Sequence, residues 1–177
     1  MRDAAQTPQE SEPQTASGDG GERSLKRPRS IRFAPEWTPL EAAEHIFAVR
    51  FAEVLALSAA LAGEVDERHH AFRLACKRLR YAIERNDPQL LGLEGTAQWL
   101  SEMTDALGEA HDAVVLRDEA LEAGASHSAA SLRKHRQEAL QTARSIWKTA
   151  FAPGGRAEPL AHLINTAPAT VKNEGTP

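Results

Sequence analysis

The sequence predicts an all-α protein, an antiparallel bundle of four to five helices. Aromatic residues make up only 5% of the chain although 41% of it is hydrophobic, and alanine and leucine dominate its middle, a composition that favours packed helices over a sheet. Apolar residues in several segments recur at helical spacing. Short loops join these segments, and short loops favour antiparallel neighbours.

Changes in composition divide the chain into three parts. Residues 1–36 are rich in Gln, Ser, Pro, Glu and Gly and cannot bury enough apolar surface to offset their ordering entropy, so we expect a disordered tail. Residues 37–152 are long enough for one modest core. Residues 153–177 return to Gly, Pro, Ala, Asn and Thr and are predicted to be flexible. A basic run at 23–32 is either a solvated tail or an arm that adds to anion binding or contacts another molecule.

The first helix begins at an N-terminal capping motif. Thr38 is the predicted cap, Pro39 occupies the first helical position, and Glu41 completes a capping box. Apolar residues recur at helical spacing until Gly63 ends the helix, and they indicate a core-facing stripe: Phe47, Phe51, Val54, Leu55 and Leu61.

The second helix is predicted from about Asp66 to the Asn86-Asp87-Pro88 turn, because no helix breaker lies between them. At 100° per residue its core stripe falls within 60° of arc and consists of Phe72, Cys76, Leu79 and Ile83. A cysteine in that stripe is expected to be a buried, inert thiol.

Three further helices are predicted. The third covers about 96–107, Gly108 marks a kink or break, and the fourth covers about 109–123 and ends at Gly124. The last runs from about 128 to 151. Arg133, Arg144 and Lys148 border its apolar side and form a second basic edge. This edge meets the second helix only if the last helix packs beside it.

The second helix also carries a basic row, defined as His70, Arg73, Lys77 and Arg80. These side chains share 80° of the helix surface over roughly 15 Å, and the row contains one acid, Glu84. Guanidinium forks suit phosphate oxygens, a lysine adds a point charge, and a histidine gains charge at acidic pH. The row therefore indicates a polyanion site. The alternative is a salt-bridged helix face.

Three motifs carry a family resemblance. The pattern His70-x-x-Arg73-x-x-x-Lys77-Arg78-x-Arg80-Tyr81-x-x-Glu84 resembles the signature helix of the conserved histidine α-helical domain (CHAD) family. The segment L-G-E-A-H-D at 107–112 resembles the family's second marker, a Leu-Gly break before the next helix, and A-R-x-x-W at 143–147 resembles its closing helix. The resemblance covers roughly residues 40–152, and the ending of its first motif is similar to the second of the family's two half-repeats.

The resemblance implies non-catalytic binding of inorganic polyphosphate, in bacteria at polyphosphate granules. Members also occur beside triphosphate-processing CYTH domains, which keeps an accessory role in phosphate metabolism open. A full domain holds two bundles around a shared channel, whereas this chain shows one signature helix. The chain is then either a half-domain that forms a homodimer, which we favour, or a diverged remnant with a shallower site. The residues expected to bind polyphosphate are Arg73, Lys77 and Arg80 directly, His70 in support, Arg78 at about 80° from the row, and with less weight Arg144 and Lys148.

Several function classes are disfavoured. The net charge of −4 argues against a generic nucleic-acid binder. No Cys, His and Asp cluster has metal-ligand spacing, and no nucleophile elbow or phosphate-binding glycine loop occurs, so we expect neither metal, cofactor nor enzymatic activity. No segment approaches a membrane span and no signal sequence is evident, which predicts a cytoplasmic protein. A nucleic-acid-binding module and a purely structural scaffold remain alternatives.

Overall fold

The computed structural model describes residues 28–89 and 91–166 and confirms the all-α prediction. Within these ranges the chain forms five α-helices and no strand. They are α1 (Pro39–Leu57), α2 (Asp66–Glu84), α3 (Glu94–Glu122), α4 (Ser126–Ala150) and α5 (Glu158–Thr166), with a 3₁₀ helix at Ser58–Ala62 directly after α1. The disorder predicted for residues 1–27 and the flexibility predicted for 167–177 concern residues outside the described ranges.

The predicted capping box opens α1. Thr38 Oγ1 accepts a hydrogen bond from the Glu41 backbone N–H at 3.3 Å, and Glu41 Oε2 accepts one from the Thr38 backbone N–H at 2.8 Å. The hydrogen bond from the Thr38 backbone, followed by that from its hydroxyl, lowers the pKa of Glu41. The reciprocal bonds satisfy donors that a helix start leaves open.

The core lies between α1, α2, α3 and α4, and α5 also packs against it. The predicted stripe of α2 is fully buried, and burial raises the pKa of the Cys76 thiol, as expected for an inert cysteine. Aromatic rings tie the helices together: Phe72 of α2 meets Trp147 of α4 with centroids 5.5 Å apart, and Trp99 of α3 lies 6.0 Å from the same indole. This packing fixes α2 against α3, where the basic row lies.

The prediction of a break at Gly108 is wrong, because α3 continues through it and merges the third and fourth predicted helices. Gly108 is buried, and a Cβ built there would lie 3.2 Å from Nη2 of Arg73. The position therefore needs a small residue so that the arginine can approach, and it does not end the helix. Gly124, with φ of 73°, does follow the end of α3, as predicted.

The structure also differs from the prediction that residues 153–177 are flexible, because α5 lies within that segment. Ala157 and Leu160 are buried in the core. The turn before α5 requires Gly155, whose missing Cβ would collide with the carbonyl of Ala150. Nine residues give too few turns for apolar periodicity to be recognised in the sequence.

The segment Pro39–Ala62 differs from the expectation that no stretch approaches a membrane span. By length and composition alone it could cross a membrane, with a mean hydropathy of 1.6. However, 44% of the apolar window is buried inside the fold, and the core helix of a soluble protein satisfies the same criteria. The absence of a membrane partner stays a prediction.

Candidate anion-binding site

The basic row lies along the groove between α2 and α3, which run antiparallel. Arg80 Nη1 donates to Ser101 Oγ at 2.8 Å, near the start of α3. One turn further along α3, Arg73 Nε donates to the carbonyl of Thr104 at 3.0 Å. The structure therefore brings two of the row's cations against a single neighbouring helix.

Arg73 is held more tightly than the sequence alone indicates. Its Nε is engaged by Thr104, and its guanidinium packs on the bare backbone of Gly108. Its two terminal nitrogens make no hydrogen bond with the described part of the chain. A guanidinium fixed through Nε presents a fork of donors in a set direction, the geometry that suits a phosphate.

Lys77 lies between the two arginines on α2 and is half-buried. Among residues 28–89 and 91–166 it has neither a hydrogen-bond nor an ion-pair partner. Its ammonium group is therefore an uncompensated charge flanked by two other cations.

Arg80 is the most heavily engaged member of the row. Besides its bond to Ser101, its Nε lies 3.5 Å from Glu84 Oε1, and its guanidinium carbon lies 4.8 Å from the centroid of the Tyr81 ring. The Arg80 side chain is 16% exposed. These contacts leave Arg80 less positive charge to offer an anion than Lys77 has.

The histidine end of the row forms a small recess. The rings of His70 and His111 lie 5.8 Å apart, and the recess also contacts Arg73, Asp66 and His69. His69 is buried, with Nδ1 3.9 Å from Asp66 Oδ1. At about 10 Å³ the cavity has room for roughly one water molecule, so a larger anion would not fit inside it.

Two acids of α3 flank the groove and were not identified from the sequence. Asp105 and Asp112 are exposed and lie within about 60° of Ser101 and Gly108 around the helix. From the sequence, acids of neighbouring helices are expected only as ion-pair partners in the salt-bridged alternative, and which acids lie at the groove becomes visible only when the packing is known. They make one rim of the groove acidic.

Arg78 lies apart from the row, on the side of α2 that faces α1. Its Nε is 3.5 Å from Glu53 Oε2. Glu53 is 5% exposed, and it also accepts hydrogen bonds from Arg50 Nη1 at 2.8 Å and from the backbone N–H of Arg29. Through Glu53, the described end of the basic run at Arg29 is therefore linked to Arg78 and not to the basic row. The sequence signal for this cluster is an acid placed among core residues of an apolar helix.

Arg144 also lies away from the row. Its Nε donates to the carbonyl of Leu61 at 2.7 Å and its Nη2 to Glu64 Oε1 at 3.2 Å. Lys148 is exposed one turn further along α4. The second basic edge thus joins α4 to the segment between the 3₁₀ helix and α2.

A further arginine, missed in the sequence analysis, completes that junction. Arg136 Nη1 donates to Glu64 Oε2 at 2.6 Å and its Nη2 to Asp66 Oδ1 at 2.7 Å. The hydrogen bond from Arg136 is the main cause that lowers the pKa of Glu64. No local pattern marks Arg136, because its partners Glu64 and Asp66 lie 72 and 70 residues earlier in the chain.

Comparison with protein-family models decides the affiliation. The model of the CHAD domain matches residues 9–121, well over half of the chain. The chain belongs to the CHAD family. The matched segment includes α1, α2 and nearly all of α3, and therefore the whole basic row, but it ends before α4. CHAD domains are linked with polyphosphate binding and are generally non-catalytic binding domains. No curated protein and no solved structure matches the chain.

Proposed function

We propose that this CHAD protein binds inorganic polyphosphate, without catalysis, in the groove between α2 and α3. The observation that carries the proposal is Lys77, a half-buried lysine without a partner in the described chain, set between two arginines that α3 holds in place. Like charges so arranged repel one another at low salt, and a bound polyanion would relieve that repulsion.

The members of the row would contribute unequally. Arg73 offers the free end of a fixed fork, and Lys77 offers a full point charge. Arg80 shares its charge with Glu84 and contributes less, and His70 supports binding at the far end. The contributions of Arg78, Arg144 and Lys148 would be smaller, because these residues lie outside the groove.

Polyphosphate suits this groove better than a nucleic acid does. A polyphosphate chain is narrow and carries charge at every unit, so it can follow a single row of cations. A duplex presents a broad surface that would also meet the acidic rim of Asp105 and Asp112. The net charge of −4 further disfavours a nucleic acid. The cytoplasm, including its polyphosphate granules, is the compartment that we propose for binding, and an accessory role in phosphate metabolism would use the same groove.

A structural role for the row is a second candidate, which one observation favours. Arg73 and Arg80 both hydrogen-bond α3, so they contribute to holding the two helices together. Replacing either arginine would therefore disturb packing as well as binding. Lys77 has no such bond, and its replacement separates the two roles.

The test compares Lys77→Gln with Arg68→Gln, a matched loss of one charge at an exposed position on α2 well away from the row. Long-chain polyphosphate, double-stranded DNA and RNA of matched charge are titrated at two salt concentrations. We expect Lys77→Gln to weaken polyphosphate binding about five- to tenfold with unchanged stability, and Arg68→Gln to have less effect. Wild-type protein should prefer polyphosphate at the higher salt. Equal loss in both variants, or equal affinity for all three polyanions, would contradict the proposal.

A further inference from the structure

The outer part of the α3–α4 hairpin extends beyond the rest of the bundle. The buried residues of α3 end at Ala113, and between 126 and 138 α4 has one buried residue, Ala129. The helix that covers this side of the hairpin, α2, begins at Asp66, which bonds Arg136 of α4. Residues 114–138 are here called the outer hairpin. They project about 13 Å past the N-terminus of α2, where Asp66 meets Arg136.

The outer hairpin carries an apolar stripe that continues the core. Around α3, Val114 and Leu121 lie on the same side as the buried Met103. Leu132 of α4 lies on the side of the buried Ala143. Leu121 is 50% exposed. In the rest of the hairpin this apolar surface packs on α1 and α2. In the outer hairpin no helix of the described chain covers it, an arrangement typical of an interaction site.

The two helices of the outer hairpin carry opposite charges. Its α3 part has three acids and one arginine, and Glu122 is exposed about 100° around the helix from Leu121, beside the apolar stripe. Its α4 part has three basic residues and one glutamate. Lys134 pairs with Glu138 and Arg136 pairs with Glu64 and Asp66, which leaves Arg133, exposed about 100° around the helix from Leu132. A surface with an acidic half and a basic half is complementary to a copy of itself turned by a twofold rotation.

We propose that the outer hairpin docks on the same hairpin of a second copy of this chain. The two hairpins form an antiparallel four-helix bundle in which α3 of each copy lies on α4 of the other, covering Leu121 and Leu132. Each hairpin tip then lies beside the His70 end of the other copy's basic row. The interface does not depend on polyphosphate binding, because no member of the row lies in it.

Sedimentation equilibrium with a matched apolar control tests the surface. Wild-type protein should dimerise at micromolar concentration. Leu121→Glu combined with Leu132→Glu should raise the dissociation constant by about tenfold or more, because each charge would be buried. Leu55→Glu, at a 43% exposed leucine of α1, should dimerise like wild type. A monomeric wild type at high micromolar concentration, or a double variant that dimerises normally, would overturn the proposal.

A charge exchange tests the arrangement without touching the apolar stripe. Glu122→Lys replaces the acid beside the stripe of α3 with a cation, and Arg133→Glu replaces the cation beside the stripe of α4 with an acid. Each protein alone should dimerise at least about tenfold more weakly than wild type, and mixing the two should restore a heterodimer. Failure of the mixture to associate while each variant keeps its helical circular dichroism would exclude this pairing.

Polyphosphate titration of the same variants keeps this proposal separate from the proposed function. Monomeric hairpin variants should still lose affinity when Lys77→Gln is added. If the hairpin variants are monomeric but Lys77→Gln does not change their polyphosphate affinity, the proposed function is contradicted and the proposed interface is supported. If they remain dimeric while Lys77→Gln lowers that affinity, the interface is contradicted and the function is supported.

Discussion

Gly108 lies in the middle of α3, and the guanidinium of Arg73 occupies the space beside it. Glycine in a helix costs about 1 kcal/mol relative to alanine. Here it allows an arginine of α2 to approach the α3 backbone closely, with its Nε on the carbonyl of Thr104. The missing side chain therefore contributes to the geometry of the candidate site.

Replacing Gly108 with alanine tests this role. The new Cβ would lie 3.2 Å from Arg73 Nη2, so the guanidinium must shift. We expect the helix-propensity gain of about 1 kcal/mol to be largely cancelled, leaving the free energy of unfolding within about 1 kcal/mol of wild type, while polyphosphate affinity falls. Chemical denaturation and titration measure the two quantities.

The control is Gly95→Ala, whose Cβ would meet Arg156 Cγ at an ordinary 3.7 Å. It should stabilise the protein by roughly 0.5–1 kcal/mol without loss of affinity. An equal gain in stability from both substitutions, with binding unchanged, would show that Arg73 tolerates a side chain at position 108.

At the scale of single residues, what the sequence predicts depends on how far apart the partners lie. The capping box was predictable because Thr38 and Glu41 are three positions apart and their chemistry is local. Gly108 was taken for a break because the partner that explains it belongs to another helix. The basic row was predictable as a set, since helical periodicity alone places it on one side of α2.

At the scale of elements, the acid Glu53 joins three separate segments. It is buried in α1, pairs with Arg50 of the same helix and with Arg78 of α2, and accepts a hydrogen bond from the backbone of Arg29. Arg50 also donates to the carbonyl of Arg29 at 3.2 Å. The end of the basic run is therefore attached to the bundle at residue 29, which the prediction of a disordered tail up to 36 did not anticipate.

Glu53→Gln should release that segment. A neutral amide leaves the charges of Arg50 and Arg78 uncompensated in a half-buried site, so we expect a loss of about 1–3 kcal/mol in unfolding free energy. Trypsin should cleave faster after Arg29 and Arg32, measured relative to cleavage after Lys77 within α2. The ratio of the cleavage rates at Arg29 and Arg32 to that at Lys77 distinguishes local release of the segment from global unfolding.

The matched control is Glu67→Gln, an exposed acid of α2, which should leave the cleavage ratio unchanged. If Glu53→Gln accelerates cleavage at all three positions equally, the carboxylate stabilises the bundle without fixing the basic segment.

At the scale of elements the sequence predicted α1 and α2 well, because a capping box marks the start of α1 and the turn before Pro88 marks the end of α2. It failed for α3, where a glycine was mistaken for an end, and for α5, which is too short for a periodic pattern. What holds α5 is a distant pair: Arg156 Nη1 donates to Glu102 Oε1 at 2.8 Å, and Thr96 Oγ1 donates to the carbonyl of Arg156 at 2.7 Å. Such contacts depend on tertiary packing and leave no local signal.

At the scale of the whole molecule, composition was sufficient for the fold class, since few aromatic residues, many alanines and short loops together admit little besides a helical bundle. Composition does not predict which charged side chains at the surface are free to bind an anion. Whether a cation of the row is free or paired depends on which helix faces it, and only the packing shows that Arg80 is engaged while Lys77 is not.

The stability of the whole fold should decrease in acid through two carboxylates that join distant segments. The hydrogen bond from Arg136 lowers the pKa of Glu64, and that from Arg156 lowers the pKa of Glu102, both from an ordinary value of 4.5. The pKa of each carboxylate is lower in the folded state than in the unfolded state. At pH values between the two, the unfolded chain therefore binds more protons than the folded protein. The stabilisation is complete above about pH 4.5 and is lost as the pH falls through the folded-state values.

Urea unfolding of wild type and of Glu64→Gln with Glu102→Gln, at neutral pH and at about pH 3, measures this contribution. The double variant should be less stable at neutral pH, by less than about 1 kcal/mol per site because both carboxylates are more than a third exposed. The difference from wild type should shrink at the acidic pH. Glu109→Gln, which removes an exposed carboxylate of α3, should change stability by less than about 0.5 kcal/mol at neutral pH. A difference that persists undiminished in acid would show that the two side chains stabilise the fold by packing and not by charge.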